Sequence, residues 1–144
     1  MSKIHVTCAK CNAINAVPSK RLEENPLCGK CKSPVLNAHP VELNTAGFER
    51  FIAKNDMPVL VDFWAPWCAP CRTMAPAFEQ AASVLEPTVR LAKLNTEDEQ
   101  MIGAQYGIRS IPTMILFDKG REVARQSGAL MAGDIVRWTK SKIV

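Results

Sequence analysis

Two cysteines separated by two residues, Cys68 and Cys71, are the side chains of this sequence best suited to do chemistry. They follow the nearly unbroken apolar run 59–64 and precede apolar residues at helical spacing, so we expect them where a buried strand meets a helix. There the unpaired backbone N–H groups and the positive end of the helix dipole favour a thiolate at Cys68. We predict a redox pair with Cys68 as the attacking thiol and Cys71 as its shielded partner. The alternatives are two buried structural cysteines or half of a zinc site.

Asp62 is an acidic residue inside the otherwise apolar run 59–64. In a central strand, burial would raise the pKa of its carboxyl group and suit it to accept a proton from Cys71 near neutral pH. Lys93 lies in another apolar stretch, 91–94, and is the candidate partner of this carboxylate. At the edge of a sheet Asp62 would simply be solvated, and the residue pattern alone leaves both interpretations open.

Four further cysteines form two C-x₂-C pairs separated by sixteen residues near the N-terminus: Cys8, Cys11, Cys28 and Cys31. This spacing is typical of a zinc site, in which four thiolates surround the metal as a tetrahedron. A segment this short, with no aromatic residue before Phe48, needs such a metal to fold. We predict a zinc-ribbon-like module over residues 1–36 with one structural Zn²⁺, and we interpret His5 and His39 as surface residues. The alternative is a disordered tail with four free thiols.

Length, composition and charge limit the remaining possibilities. The chain has 144 residues, of which 47% are hydrophobic, enough for one full domain and a small appendage. Its net charge of +4 lies entirely within residues 1–39, because residues 40–144 carry twelve basic and twelve acidic side chains. We interpret this charge as a solvated face, and a nucleic-acid partner is not expected. The sequence has no apolar run long enough for a membrane span and no recognisable secretion signal, so we expect a reducing cytoplasm.

Strand and helix patterns alternate from residue 37 onward, after a proline-containing linker at 33–40. Apolar runs predict strands over 59–64 and 89–94, and a short edge strand is expected over 41–44. The turn residues 118–120 predict a hairpin of two strands over 113–117 and 122–126. Helices are predicted to start at a Thr45 cap, after Cys68, at a capping box over 96–99, and near Ala129. This order predicts an α/β domain over residues 37–144, with a mixed central sheet and helices on both faces.

The block Trp67-Cys68-Ala69-Pro70-Cys71 resembles the active site of the thioredoxin family, and the resemblance extends over residues 40 to 144. Together with the N-terminal cysteine pairs, it resembles the thioredoxin 2 type. The resemblance implies the thioredoxin fold and matches Asp62 and Lys93 to the buried pair of that family. Ala69 stands where the family usually has glycine, which puts the redox potential in question.

The resemblance also implies a substrate surface around the cysteines. An X-Pro bond is usually trans, but the family places a cis-proline opposite the disulfide, and Pro112 takes that position. Ile111 would then offer its backbone groups to an extended substrate. The residues that the resemblance assigns to substrate binding are Trp64, Trp67, Ala69, Pro70, Ile111, Pro112 and Gly128.

As a member of this family the chain is expected to reduce protein disulfides and to be recharged by thioredoxin reductase with electrons from NADPH. The sequence contains no glycine-rich dinucleotide motif, so we expect no nucleotide bound to this chain. We expect a monomer. Two other functions remain open: a disulfide oxidase or isomerase, and a zinc-ribbon adaptor that binds nucleic acid or protein.

Overall fold

A computed structural model describes residues 3–143, in which a small hairpin precedes a five-stranded sheet flanked by four helices. The hairpin consists of β1 (Lys3–Thr7) and β2 (Ile14–Pro18), and a 3-10 helix (Ser19–Glu24) follows it. The remaining elements are β3 (Val41–Leu43), α1 (Thr45–Lys54), β4 (Val59–Trp64), α2 (Ala69–Leu85), β5 (Arg90–Asn95), α3 (Gln100–Gln105), β6 (Thr113–Asp118), β7 (Arg121–Ser127) and α4 (Ala132–Lys142). Among residues 3–143, no helix combines the length and hydrophobicity that a membrane span requires.

The large sheet is mixed, with the strand order β3-β5-β4-β6-β7. β3, β5 and β4 run parallel, whereas β6 and β7 pair antiparallel beyond β4. β4 therefore lies at the centre, which explains why its first five residues are all buried. The chain leaves the carboxyl end of β4 and enters α2, so the residues between them lie at this end of the sheet.

Helices cover both faces of the sheet and form two separate cores. On one face α1 and α3 supply Phe48, Phe51 and Ile102 to a cluster with the odd-numbered residues of β4. On the other face, α2 and α4 contribute Phe78 and Ile135, which pack against the opposite side of β4. The predicted fold class, a mixed sheet with helices on both faces, is confirmed.

The N-terminal hairpin packs against the rest of the chain. Val6, Val17, Val35 and Leu36 form a buried cluster with Met57, which precedes β4. The predicted linker is irregular except for one isolated bridge, yet its middle is buried, with Val35 0% and Leu36 7% exposed. It is therefore a packed segment and not a loose spacer.

Two predicted helix caps were wrong. The N-terminus of α1 is capped by Asn44, whose side chain accepts a hydrogen bond from the Gly47 amide at 2.9 Å, and not by Thr45. α3 has no side-chain cap within the described residues. The hydroxyl of Thr96 instead donates to the carbonyl oxygen of Trp64 at 3.0 Å, so it is used to fix the end of β4.

Candidate redox site and metal site

Cys68 and Cys71 lie where β4 passes into α2, as predicted, and they form a disulfide with their Cα atoms 5.2 Å apart. Cys68 is the N-cap of α2, and its sulfur accepts a hydrogen bond from the Cys71 amide at 3.2 Å. Pro70 follows in the first turn, where its missing N–H breaks no helical bond. In this oxidised state both cysteines are largely buried, Cys68 with 5% and Cys71 with 2% of its surface exposed.

The segment before β6 lies against the disulfide. The carbonyl oxygen of Ile111 is 3.7 Å from the Cys68 sulfur, and the Ile111–Pro112 peptide bond is cis. The carbonyl oxygen of Pro112 accepts a hydrogen bond from the Gly128 amide at 2.9 Å. Gly128 has a φ of 97°, a conformation that favours glycine. This contact ties the end of β7 to the segment that faces the cysteines.

The surface around the disulfide is partly apolar and accessible. Trp67 is 66% exposed and borders an open groove of about 350 Å³, which Ile111 and residues of α3 also line. Ala69 and Pro70 are exposed as well, whereas Trp64 is half-buried and packs beside the cysteines. Trp64 and Ile111, two of the residues predicted for substrate binding, therefore pack against the cysteines, and Trp67, Ala69 and Pro70 are exposed beside them in the chain.

Asp62 is 1% exposed in the central strand, so the interpretation of a solvated edge position is excluded. It shares a face of the sheet with Leu60, the face on which α2 packs. Neither of its carboxylate oxygens has a hydrogen-bond partner among residues 3–143. Burial raises the pKa of the Asp62 carboxyl to about 7, against the opposing effect of the positive charge of Lys93.

Lys93 is the register partner of Asp62 on β5. Its ammonium group lies 4.4 Å from the centre of the Trp64 ring, a cation–π contact, and does not hydrogen-bond the carboxylate. On the other side, Lys93 is in register with Glu42 of β3, whose negative charge raises the pKa of Asp62 further. Sequence analysis missed Glu42. The signal was its position between two buried residues, Val41 and Leu43, which turns it to the face of Asp62.

The four N-terminal cysteines meet at one point. All four sulfurs lie within 4.8 Å of one another, and the sulfurs of Cys8 and Cys31, like those of Cys11 and Cys28, are 3.6 Å apart. Four thiolates bound to zinc at about 2.3 Å in a tetrahedron have sulfurs about 3.8 Å apart, so the observed cluster fits that ion.

The backbone supports this cluster in the same way at both cysteine pairs. The amide of Lys10 approaches the Cys8 sulfur at 3.4 Å, and the amide of Lys30 approaches the Cys28 sulfur at 3.4 Å. The side chain of Asn15 also donates to Cys28 at 3.5 Å. Donors aimed at the sulfurs favour thiolates, which is the form that binds a metal.

Both histidines lie on the surface, outside the cysteine cluster. His5 contacts Asp56 at 3.3 Å, and His39 contacts Glu79. Their side chains are more than half exposed, which agrees with their interpretation as surface residues.

Comparison with known proteins accounts for both parts of the chain. The family model described as "Thioredoxin" matches residues 39–141, and the model described as "Thioredoxin 2, N-terminal", a zinc ribbon, matches residues 7–33. The chain belongs to the thioredoxin family. Thioredoxin C-3 of Corynebacterium nephridii is 44% identical over 138 residues, which are 96% of this chain and 94% of that protein.

Other relatives match a smaller share of the chain. The thioredoxin of Haemophilus influenzae is 44% identical over 72% of this chain and 96% of its own length. Among solved structures, a mutant thioredoxin from Halobacterium salinarum superposes with a TM-score of 0.67 at 27% identity, covering 74% of this chain and 93% of that one. A thioredoxin with a disulfide across Cys68 and Cys71 is a thiol–disulfide oxidoreductase that acts on proteins, and its N-terminal four-cysteine cluster is a metal-binding zinc ribbon.

Proposed function

We propose that this thioredoxin works as a reductase of disulfide bonds in other proteins, with Cys68 as the attacking thiol. The observation that carries the proposal is the Cys68 sulfur at the N-terminus of α2, where the Cys71 amide donates to it at 3.2 Å. That amide and the helix dipole stabilise a thiolate, the form that attacks disulfides. Cys71 lies inside the first turn and resolves the intermediate.

The cycle consists of two thiol–disulfide exchanges. The Cys68 thiolate attacks one sulfur of the substrate disulfide and bonds to it, while the other substrate sulfur leaves and takes up a proton. Cys71 then loses its proton and attacks the Cys68 sulfur. The Cys68–Cys71 disulfide forms, and the second substrate sulfur leaves and is protonated. The substrate gains two electrons and two protons. The chain supplies both electrons and the proton of Cys71, and the second proton comes from solvent, because Cys68 reacts as the thiolate.

Asp62 is proposed as the group that accepts the proton of Cys71. Its support is a buried carboxylate without hydrogen-bond partners on the face covered by α2, with a pKa raised to about 7 by burial. A base titrating near neutral pH can both take and return a proton during the cycle. Lys93 is proposed to tune this carboxylate through its charge, from its place over the Trp64 ring.

Substrate binding is proposed on the surface that surrounds the disulfide. An extended substrate would pair with the backbone of Ile111, beside the cis-Pro112, and this pairing tolerates many side chains. Trp64, Trp67, Ala69, Pro70 and Gly128 would border the docked segment.

The electrons that return the chain to its dithiol form are proposed to come from thioredoxin reductase and, through it, from NADPH. We place the cycle in a reducing cytoplasm, because the free thiols of the metal site remain reduced and able to bind metal there. We expect the chain to act as a monomer.

The metal is proposed to be one structural Zn²⁺ held by Cys8, Cys11, Cys28 and Cys31, in a module over residues 1–36 that precedes a thioredoxin domain over 37–144. The support is the sulfur spacing and the amide donors around it. Native mass spectrometry of protein expressed with zinc tests the assignment, and a metal-free chain would refute it.

Insulin reduction tests the main proposal. Turnover with thioredoxin reductase and NADPH is expected, and an adaptor protein would leave insulin disulfides intact. The redox potential separates reductase from oxidase or isomerase. A value near about −270 mV supports a reductase, whereas about −120 to −180 mV would contradict it and favour the other two.

A further inference from the structure

Arg90, the first residue of β5, is fully buried where the zinc ribbon meets the thioredoxin domain. One guanidinium nitrogen donates to the carbonyl oxygen of Thr7 at 2.9 Å and to Oδ1 of Asn55 at 3.0 Å. The second terminal nitrogen of the guanidinium donates to the carbonyl oxygen of Val35 at 3.2 Å. The group also lies 4.9 Å from the centre of the Phe51 ring. One side chain of the thioredoxin domain thus binds the backbone on both sides of the cysteine cluster.

Asn55 binds the backbone of Thr7 as well, through the amide where Arg90 binds the carbonyl oxygen. Its Oδ1 accepts a hydrogen bond from the Thr7 amide at 2.9 Å, and its Nδ2 donates to the carbonyl oxygen of Phe51 at 2.7 Å. Both backbone groups of Thr7 are therefore bound by residues outside the ribbon. Thr7 directly precedes Cys8, a metal ligand that is itself fully buried. Asn55 and Arg90 thus bind the residue next to this ligand.

The charge of Arg90 also suits a metal site. A divalent ion with four thiolates carries a net charge of −2, and a buried guanidinium nearby compensates part of it. The carboxylate of Glu86 lies 3.7 Å from Nε of Arg90 and is itself 6% exposed. Its other oxygen accepts a hydrogen bond from the Ala38 amide at 2.8 Å, so this residue also binds the segment that follows the ribbon.

We propose that Arg90 and Asn55 are positioning residues of the zinc site, and that through them metal binding and the stability of the thioredoxin domain are coupled. The inference rests on the proposed zinc occupancy and goes beyond it, because a zinc ribbon on a flexible tether would have no such coupling. Coupling of this kind is reciprocal: the metal stabilises the domain, and the domain strengthens metal binding.

The wild-type chain offers a direct test, because its three tryptophans, Trp64, Trp67 and Trp138, all belong to the thioredoxin domain. Metal content is measured first. Thermal unfolding is then followed by tryptophan fluorescence with bound zinc and after chelation, with the same phosphine reductant in both samples. We expect one transition whose midpoint falls when the metal is removed. A chain without zinc would overturn the zinc assignment, whereas bound zinc with an unchanged midpoint would overturn the coupling alone.

Substitutions test the two positioning residues. For Arg90→Lys and Asn55→Ala we expect zinc to bind 10–100-fold more weakly in competition with a chromogenic chelator, the usual effect of losing an outer-shell partner. The control is Thr139→Val, which removes a buried hydrogen bond within α4, far from the ribbon in sequence. Unchanged zinc affinity in both variants, or an equal loss in the control, would overturn the proposal. If Arg90→Lys does not fold, Asn55→Ala and the wild-type measurement still decide it.

Discussion

The two redox cysteines have identical side chains but different surroundings. Cys68 caps α2, where its sulfur faces the Cys71 amide at 3.2 Å and the Ile111 carbonyl oxygen at 3.7 Å. Cys71 lies one turn further on and is 2% exposed. Cys68 lies at the helix end beside the exposed Trp67, whereas Cys71 lies inside the first turn of α2. The order of attack that we propose, Cys68 before Cys71, rests on this difference in position.

This order predicts different outcomes for two serine substitutions. Cys71→Ser should accumulate a mixed disulfide between Cys68 and the substrate, because the resolving thiol is missing. Cys68→Ser should lose turnover and trap little substrate, since Cys71 is shielded. Mass spectrometry of the products under non-reducing conditions measures both. Equal trapping by the two variants would contradict the assigned roles.

Asp62 is predicted to link the pH dependence of stability and of activity. Burial raises its pKa from 3.8 to about 7 in the folded state, so the folded chain binds more protons than the unfolded chain between these values. Stability should therefore fall as the pH rises from about 4 to about 7 and then level off. At 1.36 kcal/mol per unit of pKa, the loss is about 4 kcal/mol at most. Asp62→Asn should remove this pH-dependent loss, so the variant should unfold at a higher urea concentration than the wild type at pH 8.

The same substitution should slow the reaction near neutral pH, because Cys71 loses its proton acceptor. The pH–rate profile of mixed-disulfide resolution measures this effect. Glu42→Gln serves as a control, since it removes the charge of Glu42 and keeps the carboxylate of Asp62. Because the negative charge of Glu42 raises the pKa of Asp62, this substitution should lower that pKa. A profile that is identical in Asp62→Asn and the wild type would show that Asp62 is not the base.

At the scale of elements, the central strand and the start of α2 after Cys68 could be predicted, whereas the caps of α1 and α3 and the start of α4 could not. The apolar run 59–64 predicted β4 with its observed bounds because a central strand is buried on both faces. Residues 129–131 were predicted to be helical, but α4 begins only at Ala132. Gly128 binds Pro112 just before, so a tertiary contact with no signature in local propensity delays the helix.

The α1 cap illustrates the same limit. Asn44 and Thr45 are both good capping residues, and the general preference for Asn over Thr is too small to decide between two adjacent positions. In the structure the Thr45 hydroxyl donates to Glu99 at 2.9 Å, a contact 54 residues away in sequence, which leaves the cap to Asn44. The grouping of the four zinc-ribbon cysteines followed from their spacing, and the buried position of Asp62 followed from the family resemblance. Arg90 and Glu42 depend on strand pairing and packing that the sequence pattern does not contain.

Asn44→Ala is predicted to destabilise the chain by about 1 kcal/mol, because the Gly47 amide loses its side-chain acceptor. Asn44→Ser keeps an oxygen at the cap and should cost only a few tenths of that. Urea unfolding at constant m-value measures the difference. If the two variants are equally stable, the cap does not contribute as proposed.

At the scale of the whole molecule, the redox site and the metal site lie at opposite ends of the parallel strands. Cys68 follows the carboxyl end of β4, whereas Asn55 and Met57 precede its amino end and contact the zinc ribbon. Arg90 begins the neighbouring parallel strand β5, at that same amino end. At about 3.3 Å per residue, the six residues of β4 separate the two ends by roughly 20 Å. The ribbon can therefore stabilise the sheet without touching the substrate surface.

This arrangement predicts that stability and activity separate when the ribbon is removed. A chain of residues 39–144 loses the Thr7 and Val35 acceptors of Arg90 and exposes Met57. With about 1 kcal/mol for each hydrogen bond and the added apolar exposure, its stability should fall by roughly 2–4 kcal/mol. Its kcat/KM for insulin, expressed per folded molecule, should equal that of the full chain, because every proposed substrate contact lies within the retained residues.

Urea unfolding followed by tryptophan fluorescence measures the loss of stability, and insulin turnover below the unfolding transition measures the activity. The full chain stripped of metal is the matched control, since it keeps the ribbon residues but loses the ion that orders them. The free energy of unfolding of this metal-free chain should be closer to that of the truncated chain than to that of the zinc-bound protein. A truncated chain that is folded but tenfold less active would show that the ribbon contributes directly to substrate binding, and that the separation of the two ends of the sheet does not isolate their functions.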